Sequence, residues 1–134
     1  MTPQYLSALD VIAMNDELLR RAGEASSPVR DAGALEGALM RPQMAAYYEQ
    51  ADLITQTTVL MAGVALAHPF LDGNKRTALA AGTTFCFLNG YQIVSEPTEL
   101  GRQIEAIVVR ADSLENATAR FIAWLRPRFQ AIDA

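Results

Sequence analysis

Histidine and lysine each occur once in this chain, as His68 and Lys75, and the residues around them read His68-Pro69-Phe70-Leu71-Asp72-Gly73-Asn74-Lys75-Arg76. Each polar member has a chemical use. An imidazole can take a proton from an attacking hydroxyl. A carboxylate such as Asp72 is a hard oxygen ligand, suited to Mg²⁺ that also bridges phosphate oxygens. Gly73 leaves room for a ligand to approach the backbone. If a helix starts at Asn74 or Lys75, its first N–H groups and the positive end of its dipole form an anion site. Lys75 and Arg76 would add two cations at that end. A helix start ordinarily favours acids and disfavours cations by up to about 1 kcal/mol, so a bound anion such as phosphate would relieve the placement. Each component also has an ordinary structural use. A lone histidine often caps a helix, and Asp-Gly and Gly-Asn are common turn dipeptides. The case for chemistry rests on their conjunction.

Such a loop needs rigid elements on both sides, and the apolar spacing supplies helices. Leu6, Leu9, Ile12, Ala13 and Leu19 mark a helix from about Ser7 to Ala22, closed by Gly23. Glu24–Asp31 reads as a loop. Ala32–Met40 reads as a short helix that Pro42 limits, and Gln43–Asp52 as a loop or short hairpin. Leu53–Ala67 is a strongly apolar helix stopped by Pro69. Lys75–Leu88 is a second long helix, with Asn74 as its expected cap and Gly90 beyond its end. Tyr91–Val94 is the one short strand expected. Two amphipathic helices follow, Glu96–Ala111 and Ser113–Arg126, with Asp112 and Glu115 proposed as a capping box and Pro127 ending the second. The expected fold is all-α: one domain over residues 1–134, with a central antiparallel helix pair joined by loop 68–76.

Composition narrows the possibilities further. A chain of 134 residues that is 51% hydrophobic and 19% charged can bury a core without disulfides or structural metal. Eleven Lys+Arg against fifteen Asp+Glu give a net charge of −4, which argues against direct nucleic-acid binding. The single cysteine, Cys86, rules out an intramolecular disulfide and reads as a small buried hydrophobe. The amino terminus shows no signal-peptide pattern, and Val59–Ala67 is too short to span a bilayer. The cytoplasm is the expected compartment, with no membrane association.

The segment His68–Leu79, HPFLDGNKRTAL, resembles the signature of the Fic/Doc family, HxFx(D/E)GN(G/K)RxxR. His68, Phe70, Asp72, Gly73, Asn74, Lys75 and Arg76 match it, and Pro69 is common there as well. Ala34–Gln43 and the overall size resemble the death-on-curing branch. Two positions bear on the branch. AMP-transferring members usually have Gly where this chain has Lys75 and a second Arg where it has Leu79. Lys75 is the Doc choice, whereas Gly73 is nearer to Fic.

The resemblance implies a Doc-like toxin that passes the γ-phosphoryl group of ATP to a protein hydroxyl, on elongation factor Tu by analogy. The alternatives are Fic-type transfer of AMP, or a catalytically silent antitoxin-binding module. Carried over by position, His68 would be the general base, and Asp72 would hold Mg²⁺ or help orient the hydroxyl. Gly73, Asn74 and Lys75 would form the anion hole, Arg76 would clamp a phosphate, and Phe70 would anchor the loop. Residues 43–54 hold the place of the family's target-docking flap, where Tyr47 and Tyr48 either meet a protein substrate or cover the core, the latter being favoured. The inhibitory pattern (S/T)xxxE(G/N) is absent: Ser95 and Glu99 have the spacing, but Leu100 follows. Restraint is therefore expected in trans, from an antitoxin, with Ile104, Ile107, Phe121 and Trp124 as candidate contacts that read more readily as core.

Overall fold

The computed structural model describes residues 2–26 and 28–132. Helix α1, Ala8–Arg21, opens on a capping box in which the Ser7 side chain accepts from Asp10 N–H and the Asp10 carboxylate accepts from Ser7 N–H. Helix α2 spans Ala32–Glu49, capped by Asp31. Helix α3, Leu53–Ala67, is capped by Asp52, whose carboxylate accepts from Thr55 N–H at 2.9 Å. Helix α4 spans Asn74–Leu88. Strand β1 (Tyr91–Ile93), helix α5 (Pro97–Val108), helix α6 (Leu114–Leu125), a 3₁₀ turn (Arg126–Arg128) and strand β2 (Phe129–Ala131) complete the chain. The fold is all-α apart from this two-stranded ribbon. β1 and β2 run antiparallel, with Tyr91 opposite Ala131 and Ile93 opposite Phe129, and the Tyr91 and Phe129 rings stack at 4.9 Å.

Helix α3 is the hub, packed between α2 and α4 and also touching α5 and α6. That position accounts for a sequence apolar almost all round: Leu60, Met61, Val64 and Ala65 are all buried. The α3–α4 pair approaches closely at Gly82, where a Cβ would fall 2.2 Å from the Met61 Cγ. Cys86 is buried on α4, and desolvation pushes its thiol up to about 11. The thiolate is the reactive form, so native protein should resist iodoacetamide at neutral pH and label only once denatured. Mass spectrometry under both conditions checks this. No helix among the described residues is long and apolar enough to cross a membrane.

Four local expectations are corrected. First, α2 does not stop near Pro42 but continues to Glu49. Leu35, Ala38, Leu39, Pro42 and Ala45 are all buried on one helical face. Packing of that face against α3 outweighs the hydrogen bond lost at proline. Residues 43–49 are therefore helix, not hairpin, and only residues 50–52 link to α3. Second, Tyr47 and Tyr48 do not cover the core: they are 75% and 70% exposed and stand edge to face at 4.8 Å. Third, Asn74 is the first residue of α4, and the cap position belongs to Gly73 at φ +76°. Fourth, Ser113 caps α6, while Asp112 pairs with Arg120 at 2.6 Å. Ile104, Ile107 and Phe121 are core residues, buried to 1% exposure or less.

The caps also set a stability prediction. Burial raises the Asp52 pKa, but hydrogen bonds from Thr55 and the nearby Arg126 guanidinium outweigh it and hold the carboxyl below its usual range. A depressed carboxyl stabilises the fold above its unfolded pKa and loses that contribution as pH falls through the folded value. Asp52→Ala should cost about 1 kcal/mol at neutral pH. The difference from the parent should shrink as the medium is acidified below the ordinary carboxylate range, as urea melts at neutral and acid pH would show.

Candidate active site

The loop between α3 and α4 is fastened from three sides. At the end of α3, His68 adopts a left-handed conformation, φ +47°, which histidine tolerates better than most residues. Its carbonyl accepts two hydrogen bonds from the Arg30 guanidinium, Nε at 2.9 Å and Nη2, and Nη2 also reaches the Ala67 carbonyl at 3.2 Å. The backbone N–H groups of Arg30 and Asp31 both donate to the Pro69 carbonyl, at 2.7 and 3.1 Å. From the core side, Phe70 is buried to 1% exposure and bridges Val29. From within, Asn74 closes the loop on itself. Its Oδ1 accepts from Phe70 N–H at 2.9 Å, and its Nδ2 donates to the Phe70 carbonyl at 2.8 Å. The same Nδ2 stands 3.5 Å from His68 Nδ1, so one amide positions both backbone and imidazole.

A residue far away in sequence completes the support. Asn15 on α1 is buried to 1% exposure, and its Nδ2 donates to the Asp72 carbonyl and to Thr77 Oγ1, both at 3.0 Å. A Cβ on Gly73 would stand 3.1 Å from that nitrogen. Glycine is thus set here by its positive φ and by the closeness of Asn15 together. Asn15 was not among the expected site residues. Its signal was a polar side chain on an apolar face, between Val11 and Leu19, and such a group needs a buried partner.

His68, Leu71, Asp72, Gly73, Asn74, Lys75 and Arg76 line one open cavity of about 560 Å³ at the amino-terminal end of α4. The structure brings these expected residues together and leaves Tyr47 and Tyr48 outside, on α2; Tyr48 lines a separate groove with Arg41 and Met44. By helix geometry the first N–H groups of α4 lack intrahelical acceptors. The Thr77 N–H closes the first turn onto the Gly73 carbonyl at 2.8 Å. Gly73 N–H donates to Asp72 Oδ1 at 2.7 Å.

The two cations do not stand uncompensated, as the sequence suggested. Lys75 Nζ lies 3.4 Å from Glu105 on α5. Arg76 donates to both Glu24 oxygens, at 3.3 and 3.4 Å, and lies 3.9 Å from Asp72. These carboxylates relieve the clash with the helix dipole. All of the pairs are substantially exposed and so are weak and exchangeable. A phosphate offering charge-assisted paired hydrogen bonds could replace Glu24 on Arg76.

The sequence profile of the Fic/DOC family matches residues 5–86, the stretch from α1 through most of α4. The chain belongs to the Fic/DOC family. Two relatives are named for Doc. Toxin Doc of Mycolicibacterium smegmatis is 37% identical over 95 residues, covering 69% of this chain and 70% of that protein. Protein kinase doc of Escherichia phage P1 is 32% identical over 95 residues, covering 70% of this chain and 75% of that protein. The Fic/DOC match takes in α1 and the 24–31 segment as well as the loop. The outlying supports Asn15 and Arg30 therefore lie inside the matched region.

Proposed function

We propose that this Fic/DOC protein is a Doc-like toxin, a protein kinase that moves the γ-phosphoryl group of ATP to a hydroxyl of a protein target. The observation that carries the reading is one cavity in which an imidazole, a carboxylate and two exchangeable cations meet a helix amino terminus. The names of the two relatives, a toxin and a protein kinase, support it. By family resemblance the target is elongation factor Tu, so that modification stops translation. The protein would act in the cytoplasm, held in check by an antitoxin protein in trans. The exposed Tyr47, Tyr48 and Met44 on α2 offer a surface to the protein substrate.

In this mechanism His68 accepts the proton of the target hydroxyl as its oxygen bonds the γ-phosphorus. The bond from the γ-phosphorus to the β,γ-bridging oxygen breaks and ADP leaves. Arg76 exchanges Glu24 for phosphate oxygens, while Lys75 and the first N–H groups of α4 neutralise charge on the same group. Asn74 and Arg30 fix the imidazole and the loop beneath it. Among the described residues no three metal-binding side chains cluster. Mg²⁺ ordinarily binds through one or two carboxylates together with phosphate oxygens and water. Asp72 is the carboxylate that would hold it, and when bound it would neutralise charge on those oxygens.

The deciding experiment incubates purified protein and cell lysate with ATP labelled at either the α or the γ phosphorus. Label on protein from γ-labelled ATP alone is expected. Label from the α position alone would replace this reading with AMP transfer, the alternative that Gly73 raises. Arg76→Ala should abolish nucleotide binding by calorimetry yet leave the melting temperature almost unchanged. Its ion pairs are exposed and weak, and the carboxylates left behind suit the helix start.

A further inference from the structure

Two cavities, about 480 and 400 Å³, lie end to end along the seam between α2 and α3. They share Gly37 and Arg41 and so make one groove. Met44, Tyr48 and Val59 line its far end. Ala34, Leu66, Ala67 and Leu114 line its near end. The groove thus reaches Ala67, and the next residue, His68, lines the loop cavity. Arg41 stands in the middle. A Cβ on Gly63 would fall 3.3 Å from Arg41 Cδ, so glycine there lets the arginine stem lie across α3. Ten of the eleven Lys and Arg side chains pair with a carboxylate or donate to a backbone carbonyl. Among the described residues Arg41 alone does neither. Glu49, also at the far end, stands eight residues along α2, about 12 Å, and does not reach it. The guanidinium offers five donors in a planar fork that matches a carboxylate.

We propose that this groove seats, in extended form, the stretch of the target protein that carries the accepting hydroxyl, and that Arg41 selects targets with an acidic residue near that hydroxyl. The inference rests on the transferase reading of the loop and adds to it how the target is recognised. Two observations carry it: the groove runs up to the residue before the general base, and its central cation has no partner within the chain. Gly63, beneath the Arg41 stem, precedes His68 by five residues, about 8 Å of helix. Extended chain advances about 3.3 Å per residue. With the hydroxyl at the imidazole, a side chain two to four residues away therefore meets Arg41. A carboxylate there makes a charge-assisted contact, whereas a lysine or arginine is repelled. Beyond Arg41, Met44, Tyr48 and Val59 give an apolar seat to a residue further along the same segment.

The test incubates the full chain with labelled ATP and cell lysate and locates the modified hydroxyl by mass spectrometry. An Asp or Glu within about four residues of it is expected. With that target purified, Arg41→Glu should raise its KM about tenfold or more, with kcat and ATP affinity close to the parent's. Replacing the target's acid by lysine should weaken transfer by the parent and restore transfer by Arg41→Glu, an exchange that a merely structural role would not produce. A hydroxyl with no acid in that window, an unchanged KM in Arg41→Glu, or no recovery on exchange would overturn the groove and leave the loop chemistry standing. Sedimentation covers another occupant: a dimer in the parent that Arg41→Glu dissolves would assign the groove to a second copy and overturn the target reading. Absence of any label from the parent would overturn the transferase reading itself, and the groove with it.

Discussion

Replacing His68 with alanine should lower phosphoryl transfer to protein by about 100- to 10,000-fold, the range typical of a lost general base. The imidazole is exposed at the rim of the loop cavity and makes one long contact, 3.5 Å to Asn74, so its removal should leave the core intact. One complication is local: residue 68 holds a positive φ of 47°, where alanine is strained and asparagine is tolerated. His68→Asn therefore provides the cleaner comparison, because it keeps the backbone preference and removes the base. Both variants should retain nucleotide affinity, since phosphate binding is assigned to Lys75, Arg76 and the α4 terminus. Transfer rates within about tenfold of the parent in the asparagine variant would remove His68 from the chemistry. Loss of nucleotide binding in that variant would mean the residue acts by shaping the loop.

The chemistry-bearing residues were legible because they are contiguous. They fall within nine consecutive positions, His68 to Arg76, of which seven line one cavity, so no folding argument was needed to bring them together. Their supports were not legible, because each arrives from a distant segment: Asn15 from α1, Glu24 and Arg30 from the loop between α1 and α2, and Glu105 from α5. Helical patterning placed α1, α3, α4, α5 and α6 close to their observed bounds. It failed at Pro42, where the rule for an isolated helix was applied to a helix whose buried face decides the outcome. The apolar positions 35, 38, 39, 42 and 45 continue across the proline, and that continuity was the better signal. β2 was missed for a different reason. Its three residues follow directly on a 3₁₀ turn, and a strand that short gains its identity from the partner it pairs with. The exposed Tyr47 and Tyr48 show the same dependence: an aromatic pair reads as core cover until the helix carrying it is seen to turn them outward.

Phe70→Ala should have the largest effect on stability of any substitution in the loop, about 3 to 5 kcal/mol. Phe70 is among the largest fully buried side chains and joins the same core cluster as Leu35, Leu60, Met61 and Phe85. Its backbone is held in addition, both groups bonded to Asn74 and the strand-like bridge to Val29 drawing in the Arg30 segment. Truncation would leave a cavity beneath the turn that carries His68 and Asp72, and only partial collapse is available to rigid helices on either side. For a domain whose total stability is on the order of 5 to 15 kcal/mol, that loss would leave many molecules unfolded at growth temperature. Phe70→Leu fills most of the space and should cost about 1 to 2 kcal/mol, which separates loop placement from unfolding. Urea melts of the two variants give the stabilities. Transfer assays below the onset of unfolding give the second readout, where the alanine variant should remain impaired per folded molecule because misplacement by about 1 Å can cost about 100-fold in rate. An alanine variant destabilised by less than about 1 kcal/mol would show that the core does not hold the loop. Full activity in a strongly destabilised one would show that the chemistry tolerates a loosely held turn, contrary to the network that Asn74, Arg30 and Asn15 build around it.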